Sequence, residues 1–224
     1  MTALEGRAQR VEPRTSIEAI VSDFGGVLTS SVLESFVAWQ EATGIPLETL
    51  GKAMAQIAAR RGANPLVELE TGRVSEAEFL DGLSQQLSAD LGRAVQLDGF
   101  ADRYLEHLDA NPRMIDYMRQ LRERGYKLAI CTNNVREWEE RWRAKLPVDE
   151  IFEVVVDSSA VGSRKPEPRI YEITLEQLGV EPGAALFVDD LEVNCVAARE
   201  LGMAAVWFRE TEQAIEEIEA ALGK

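Results

Sequence analysis

Histidine and cysteine are scarce in this chain of 224 residues, which contains one histidine and two cysteines. A single histidine, His107, excludes a metal site built from several imidazoles. Cys131 and Cys195 fall in predicted core segments, and neither has a histidine near it in sequence. This pattern disfavours both a disulfide scaffold and a thiolate nucleophile, and it favours a reduced, intracellular setting. We therefore predict a cytoplasmic protein.

Basic residues are also few: 24 lysines and arginines face 39 acidic residues, for a formal net charge of -15. This balance argues against partners with many phosphates, namely nucleic acids and anionic membrane surfaces. No apolar run is long enough to predict a transmembrane helix. A small anionic substrate stays compatible, because a local metal ion and a lysine can outweigh the global charge. The oligomeric state is left open.

Apolar residues make up 46% of the chain, enough for one sizeable core and a smaller appended unit. Strand and helix patterns alternate from residue 110 onward, which predicts an α/β fold with a parallel sheet and helices on both faces. The predicted strands cover residues 19–22, 127–131, 152–156, 186–188 and 204–208. The predicted helices of this part cover residues 113–124, 135–146, 168–178, 193–201 and 211–222.

Residues 31–109 show helix patterns without a strand pattern. Helices are predicted over 31–43, 47–61, 75–87 and 97–108, the third opened by a capping box at Ser75 and Glu78. A break is predicted at residues 62–65. We predict a small all-helical domain over 31–109, inserted after the first strand. The core domain then comprises 17–30 and 110–224, with hinges near Ser30 and Asn111, and residues 1–16 form a loose arm.

The most informative stretch is residues 23–28, in which Asp23 follows the apolar run of the first strand and two glycines come after it. Ligands bind at this edge of an open α/β sheet. A carboxylate there can act as a nucleophile or bind a hard cation, and glycines allow the backbone to approach a ligand closely. Taken alone, the stretch is equally typical of a buried strand that ends in an Asp-capped turn.

Three later segments favour a functional interpretation. A second strand ends in residues 132–134, with the sequence Thr-Asn-Asn; a proline-rich loop carries Lys165; and a further strand ends in Asp189 and Asp190, with Asn194 shortly after. Acidic, hydroxyl and lysine side chains at neighbouring strand ends predict a phosphate and magnesium site. Each segment also has a structural interpretation: a solvated loop lysine, a helix-capping threonine, and acids at a helix start.

In order and spacing, these four segments resemble the motifs of the haloacid dehalogenase superfamily, over residues 18–205. The sequences of residues 165–171, 187–194 and 197–203 are most similar to the phosphatase-like branch that includes the N-terminal domain of soluble epoxide hydrolase. The resemblance implies a Rossmann-like core, a helical cap domain at 31–109, and hydrolysis of small phosphorylated metabolites through an aspartyl phosphate.

The resemblance also implies roles for individual residues. Asp23 would be the nucleophile, and Mg²⁺ would be held by the Asp23 carboxylate, the Gly25 carbonyl and the Asp190 carboxylate. Asp189 would bind a metal water or support the neighbouring ligand. Asn194 would contact these ligands without contacting the metal itself.

The phosphate contacts come from two further segments and the glycine turn. Thr132 and the amide after it would donate hydrogen bonds to the transferring phosphoryl group, with Gly26 and Asn133 in contact with the phosphate. Lys165 would neutralise charge on that group and on Asp23.

One departure from the family pattern concerns catalysis. The usual first motif has a second aspartate, which serves as general acid and base, and Gly25 stands in its place. We expect a positive φ angle at Gly25. Three interpretations follow: a phosphatase of modest activity in which water or a cap group replaces the acid, a weakly active protein that binds phosphometabolites or a partner, and a 2-haloacid dehalogenase. The paired acids Asp189 and Asp190 argue against a dehalogenase, because halide release needs no magnesium. A mutase is a further alternative, but its chemistry would depend on the absent acid.

Overall fold

Five strands form one parallel sheet in the computed structural model, which describes residues 16–223. The strands are β1 (Ala19–Ser22), β2 (Lys127–Thr132), β3 (Val154–Asp157), β4 (Ala185–Asp189) and β5 (Ala204–Trp207). Their order in the sheet is β3-β2-β1-β4-β5, and every neighbouring pair is parallel. The predicted α/β fold is confirmed, whereas the predicted arm at residues 1–16 lies outside the described residues except for its last position.

The strand order places a crevice at the ends of β1 and β4. From β1 the chain proceeds outward to β2 and β3, and it then returns to the other side of β1 to form β4 and β5. Ligands of open α/β sheets bind at such a reversal, outside the carboxyl ends of the strands. Ser22 is paired with Val188, so Asp23 and Asp189 leave the sheet side by side.

Helices cover the sheet on both sides, as a parallel sheet requires. They are α1 (Val32–Thr43), α2 (Leu47–Arg61), α3 (Pro65–Glu70), α4 (Glu76–Leu91), α5 (Phe100–Glu106), α6 (Pro112–Glu123), α7 (Glu139–Arg143), α8 (Val148–Ile151), α9 (Ser158–Val161), α10 (Pro168–Leu178), α11 (Glu192–Glu200) and α12 (Thr211–Ala221). Short 3-10 segments cover Arg136–Trp138 and Pro182–Ala184.

Alternating strand residues divide the core between the two faces, because successive side chains of a strand point to opposite sides. Ile20, Leu128 and Leu186 pack on one face with side chains of α6 and α12 and of the helical insertion. Ala19, Ala129 and Phe187 pack on the other with side chains of α10 and α11. Both cysteines are free and buried on this second face, as predicted.

Helices α1–α5 occupy the long connection between β1 and α6, and residues 31–109 contain no strand. The chain enters and leaves this segment through adjacent backbone, where Ser30 N–H donates to the Asp109 carbonyl at 2.7 Å and Asn111 N–H donates to the Leu28 carbonyl at 2.8 Å. The predicted capping box at Ser75 and Glu78 is present. Among the described residues, no helix is both long and apolar enough to cross a membrane.

Three helix predictions were wrong in extent, and one of them is α4, which continues to Leu91 beyond the predicted end at residue 87. Residues 135–146 form a 3-10 turn and then the short α7 rather than one helix. The spacing of Trp138 and Trp142 reflects burial, since both are buried against the core despite the change of helix type. The helix predicted over 97–108 begins only at Phe100, because Gly99 has a φ angle of 68° and precedes it in the left-handed conformation.

Three short helices were not predicted: α3, α8 and α9. The predicted break at residues 62–65 is real, but Pro65 is already the first residue of α3, whose amino end is capped by the Asn64 side chain. Helix α8 extends to Ile151, and β3 therefore begins at Val154 rather than at Phe152.

Candidate active site

Asp23, Lys165 and Asp189 form a buried ionic cluster at the carboxyl ends of β1 and β4. Lys165 Nζ lies 2.7 Å from Asp23 Oδ1 and 2.7 Å from Asp189 Oδ2. The lysine side chain is only 1% exposed, and a lysine buried to this degree requires a charged partner. Burial opposes its charge, yet the carboxylates of Asp189 and Asp23 raise the pKa of Lys165 above its usual value. A solvated loop lysine, the structural alternative from the sequence, is therefore wrong.

Asp189 is a supporting carboxylate whose two oxygens are both occupied. Oδ2 accepts from Lys165, while Oδ1 accepts from the Leu191 amide at 2.8 Å and from Asn194 Nδ2 at 2.9 Å. Asn194 is itself buried and lies in the first part of α11. These hydrogen bonds fix the orientation of the Asp189 carboxylate, and the carboxylate in turn holds the Lys165 ammonium next to Asp23.

Asp190 lies against the glycine turn that follows β1. A Cβ atom at Gly26 would overlap the Asp190 carboxyl group, and Gly26 has a φ angle of 79°. Only glycine therefore allows the turn to approach Asp190 this closely. On the other side, Trp207 Nε1 donates to the Asp190 carbonyl at 2.9 Å, which ties the turn after β4 to the end of β5.

The three aspartates are suited to a divalent cation. One carboxylate oxygen of each of Asp23, Asp189 and Asp190 lies within 4.8 Å of the others, and the Lys165 ammonium contacts Asp23 and Asp189 of this group. Burial, with the charges of Asp189 and Asp190, raises the pKa of Asp23 to about 8 against the opposing charge of Lys165. Burial and Asp189 raise the pKa of Asp190 to about 6. An oxygen-only donor set with uncompensated negative charge fits Mg²⁺.

Asn133 and Thr132 continue the same edge at the end of β2. Asn133 Oδ1 accepts from the Lys165 amide at 2.8 Å, and Asn133 Nδ2 donates to the Lys165 carbonyl at 3.0 Å. Both polar ends of the Asn133 side chain thus hold the loop of Lys165, which is a task that the sequence did not suggest. Thr132 is buried in β2 opposite Asp157 of β3. Phosphate contacts by Thr132, Asn133 and Gly26 stay predictions.

Gly25 does not have the positive φ angle expected from the sequence, and Gly26 has it instead. The constraint at Gly25 is steric: a Cβ atom there would lie 2.8 Å from Val32 Cγ2 on α1. A side chain at this position therefore requires Val32 to move.

Sequence reasoning missed two polar residues of the helical insertion, Glu70 and Tyr104. Glu70 ends α3, and its Oε2 lies 2.8 Å from Arg164 Nε. Tyr104 of α5 packs its ring against Trp138, with centroids 5.2 Å apart. Burial, with the carboxylates of Glu70, Asp23 and Asp190, raises the pKa of Tyr104. No motif marks Glu70 or Tyr104, because the packing of the helical insertion brings them next to Arg164 and Trp138 from distant parts of the chain.

Comparison with known proteins gives consistent relatives. Residues 17–202 match a family model described as haloacid dehalogenase-like hydrolase. The chain is 31% identical over 204 residues to Phosphatase MT3486 of Mycobacterium tuberculosis, covering 85% of this chain and 86% of that protein. It is 30% identical to mouse acyl-CoA dehydrogenase family member 10 and 27% identical to pig bifunctional epoxide hydrolase 2. Each alignment covers 93% of this chain, but this chain spans only 19% of the length of the mouse protein and 39% of the length of the pig protein.

Solved structures share the fold. A predicted haloacid dehalogenase-like hydrolase from Porphyromonas gingivalis has a TM-score of 0.67 at 25% identity, covering 94% of this chain and 100% of that one. A haloacid dehalogenase family enzyme from Bacteroides thetaiotaomicron, in complex with magnesium and inorganic phosphate, has a TM-score of 0.61 at 25% identity, covering 85% and 93%. The chain belongs to the haloacid dehalogenase-like hydrolase family.

Proposed function

We propose that this chain is a magnesium-dependent phosphatase of small phosphate monoesters, acting through an aspartyl phosphate on Asp23. The observation that carries the proposal is the cluster at the ends of β1 and β4, where Lys165 holds Asp23 in place next to Asp190. A phosphate monoester presents negative oxygens to its attacker, so a nucleophile held beside an ammonium and a cation site suits this substrate.

The relatives support the same class of reaction. The Mycobacterium tuberculosis relative is named a phosphatase and matches most of both chains. The Bacteroides thetaiotaomicron structure contains magnesium and inorganic phosphate, which are the ions expected at the acidic cluster of this chain.

Each residue of the cluster has a distinct part in the proposed reaction. The Asp23 carboxylate attacks phosphorus and expels the alcohol, and water then hydrolyses the aspartyl phosphate. Lys165 neutralises charge on the phosphoryl oxygens and keeps the Asp23 side chain in one orientation. Asp189 and Asn194 act on Lys165 and on each other rather than on the substrate.

Mg²⁺ would be held by the carboxylates of Asp23 and Asp190 and by the Gly25 carbonyl, and it would offset the charge of the phosphoryl group during transfer. Thr132 and the Asn133 amide would contact the phosphoryl oxygens. Residues 31–109 would form a cap domain over the edge of the sheet, with residues 17–30 and 110–224 as the core. A closed cap keeps bulk water from the aspartyl phosphate.

The test is phosphate release from a panel of alkyl, sugar and aryl phosphate monoesters, with Mg²⁺ or with excess chelator. We expect magnesium-dependent hydrolysis. Full activity in chelator would exclude the metal assignment. Halide release from a 2-haloacid without phosphate release would identify a dehalogenase, and tight binding of a phosphometabolite without turnover would identify a binding protein.

A further inference from the structure

The glycine turn after β1 is enclosed between a carboxylate and a methyl group. A Cβ atom at Gly26 would overlap the Asp190 carboxyl group, and a Cβ atom at Gly25 would lie 2.8 Å from Val32 Cγ2. Val32 is the first residue of α1, so the helical insertion places an apolar side chain directly beside the turn that follows Asp23. In this packing, Gly25 has no room for a side chain that carries a proton.

The leaving group of a substrate would point toward the insertion. In an in-line transfer, the leaving oxygen lies opposite the attacking oxygen. Lys165 and Asp189 occupy the side of Asp23 that faces β4, since Lys165 Nζ lies 2.7 Å from a carboxylate oxygen of each aspartate. With Asp23 as the nucleophile, the leaving oxygen therefore lies away from the strand ends. Helix α1, with Val32 at its start, is the part of the insertion that directly follows the turn.

The ionisable groups that meet at this edge are all engaged. Among the described residues, Asp23, Asp189 and Asp190 form the one group of three or more acidic, cysteine or histidine side chains that could hold an ion together. Asp189 accepts hydrogen bonds from Lys165 and Asn194. Lys165 is paired with two carboxylates, Asp190 is a proposed metal ligand, and Asp23 is the proposed nucleophile. The cluster thus has no carboxyl group free to protonate a leaving oxygen.

The other candidate proton donors in this part of the molecule are exposed, paired or weakly acidic. His107, the only histidine of the chain, is exposed at the end of α5. The Glu70 carboxylate is paired with the Arg164 guanidinium at 2.8 Å. Burial and the surrounding carboxylates raise the pKa of Tyr104, so its phenol is a weaker acid than usual.

We infer that this site hydrolyses phosphates whose leaving group departs as a stable anion, namely aryl and acyl phosphates. The inference rests on the proposed phosphatase function and narrows its substrate class. Alkyl phosphates bind but turn over slowly, because an alkoxide must receive a proton as it departs. Gly25 and Val32 set this preference, since a methyl group stands beside the turn where a proton donor would have to lie.

The reaction balances without a proton from the protein. An Asp23 oxygen forms a bond to phosphorus, the bond from phosphorus to the leaving oxygen breaks, and that oxygen keeps the electron pair as a phenolate or carboxylate. Water then forms a bond to phosphorus, the bond to Asp23 breaks, and its electron pair returns to the carboxylate. Both hydrogens of the water leave on dihydrogen phosphate. The aspartyl phosphate is itself an acyl phosphate, so the second step has a leaving group of the same kind.

The experiment measures kcat/KM of the wild type for three phosphates at saturating Mg²⁺. p-Nitrophenyl phosphate releases a stable phenolate, and acetyl phosphate releases a carboxylate without offering a ring. Benzyl phosphate matches the aryl ester in size and apolar character but releases an alkoxide. We expect kcat/KM for benzyl phosphate to be at least about 100-fold below that for p-nitrophenyl phosphate and about 10-fold or more below that for acetyl phosphate. As an inhibitor, benzyl phosphate should compete with p-nitrophenyl phosphate, with a Ki close to the KM of the aryl ester.

Four results would contradict these expectations. A kcat/KM for benzyl phosphate within about 10-fold of that for p-nitrophenyl phosphate would show that a group of the protein protonates the leaving oxygen, and it would overturn the inference. Acetyl phosphate hydrolysed no faster than benzyl phosphate would attribute the preference to recognition of the aryl ring and would also overturn it. Benzyl phosphate that does not compete would place the preference in binding, with the same consequence. A wild type that hydrolyses none of the three phosphates would overturn the phosphatase proposal itself.

Discussion

Asp23 is the residue on which the proposed chemistry depends most directly. Asp23→Asn keeps the shape of the side chain, but an amide cannot attack phosphorus. We expect kcat to fall by at least about 1000-fold. The fold should persist, because Asp189 still pairs with Lys165 and one carboxylate of a crowded group is removed.

Steady-state kinetics and a thermal melt on the same sample check this prediction. Asp81→Asn, on the exposed surface of α4, is the control for a loss of charge elsewhere. Retention of more than a few per cent of wild-type turnover by Asp23→Asn would assign the nucleophile to another residue.

Gly25 leads to a second prediction at this scale. An aspartate there could supply the acid from the usual position, but its Cβ would lie 2.8 Å from Val32 Cγ2. Gly25→Asp alone should therefore lower the free energy of unfolding by about 1–3 kcal/mol, and Val32→Ala should restore most of it. With this strain relieved, the aspartate should raise turnover of esters with poor leaving groups, because it can give a proton to the departing oxygen.

The measurement compares an alkyl phosphate with p-nitrophenyl phosphate at saturating Mg²⁺. The pair Gly25→Asp and Val32→Ala should raise turnover of the alkyl ester by about 10-fold or more and leave the aryl ester nearly unchanged, because nitrophenolate needs no proton to depart. Val32→Ala alone is the matched control and should show no gain. A folded double variant with no gain on the alkyl ester would mean that another group already supplies the proton.

At the scale of elements, the loop before α10 is held in place by β2. Asn133 makes two hydrogen bonds to the backbone of Lys165, at 2.8 and 3.0 Å. Asn133→Ala leaves both backbone groups without these partners, so the free energy of unfolding should fall by about 1–3 kcal/mol. Turnover should fall with it, since Lys165 loses its fixed position.

Chemical denaturation and steady-state kinetics distinguish this role from a phosphate contact made by the Asn133 side chain, since Asn133→Ala keeps the backbone amide of this position. A direct contact would raise KM and leave stability unchanged, whereas the backbone support lowers stability and kcat together. Gln120→Ala on the exposed side of α6 serves as the control.

The elements of the core could be predicted from the sequence because each has a local signal. The apolar runs at β1, β2 and β4 and the glycines after α10 and α11 mark their boundaries within a few residues. The residues at their ends, Asp23, Lys165 and Asp189, indeed meet.

Other features depend on packing between residues that are distant in the chain, and no short stretch of sequence predicts such contacts. The spacing of Trp138 and Trp142 is helical, but the backbone between Val135 and Glu139 is a 3-10 turn. The contact between Glu70 and Arg164 joins residues far apart in the chain, and only the docking of the insertion brings them together. The steric constraint at Gly25 likewise arises from Val32 of another element.

At the scale of the whole molecule, cations can stabilise the fold in two ways, by screening the excess of acidic residues and by binding at the metal site. A net charge of -15 produces repulsion that any cation screens, so added salt alone can raise the melting temperature. The cluster of Asp23, Asp189 and Asp190 adds a local effect, because its oxygens lie within 4.8 Å of one another. The two effects differ in ion specificity and in their response to mutation.

Mg²⁺ at about 100 times its Kd should stabilise the fold by about 2.7 kcal/mol. For a chain of this size, that corresponds to a rise in Tm of about 5–10 °C. The measurement is a thermal melt with MgCl₂ against NaCl of equal ionic strength. Asp190→Asn should lose most of the magnesium-specific rise, because it removes a proposed metal ligand. It should keep the response to NaCl, because 38 of the 39 acidic side chains remain. Asp81→Asn should keep both responses. An equal magnesium response in Asp190→Asn and the wild type would attribute the stabilisation to surface screening and remove Asp190 from the proposed metal site.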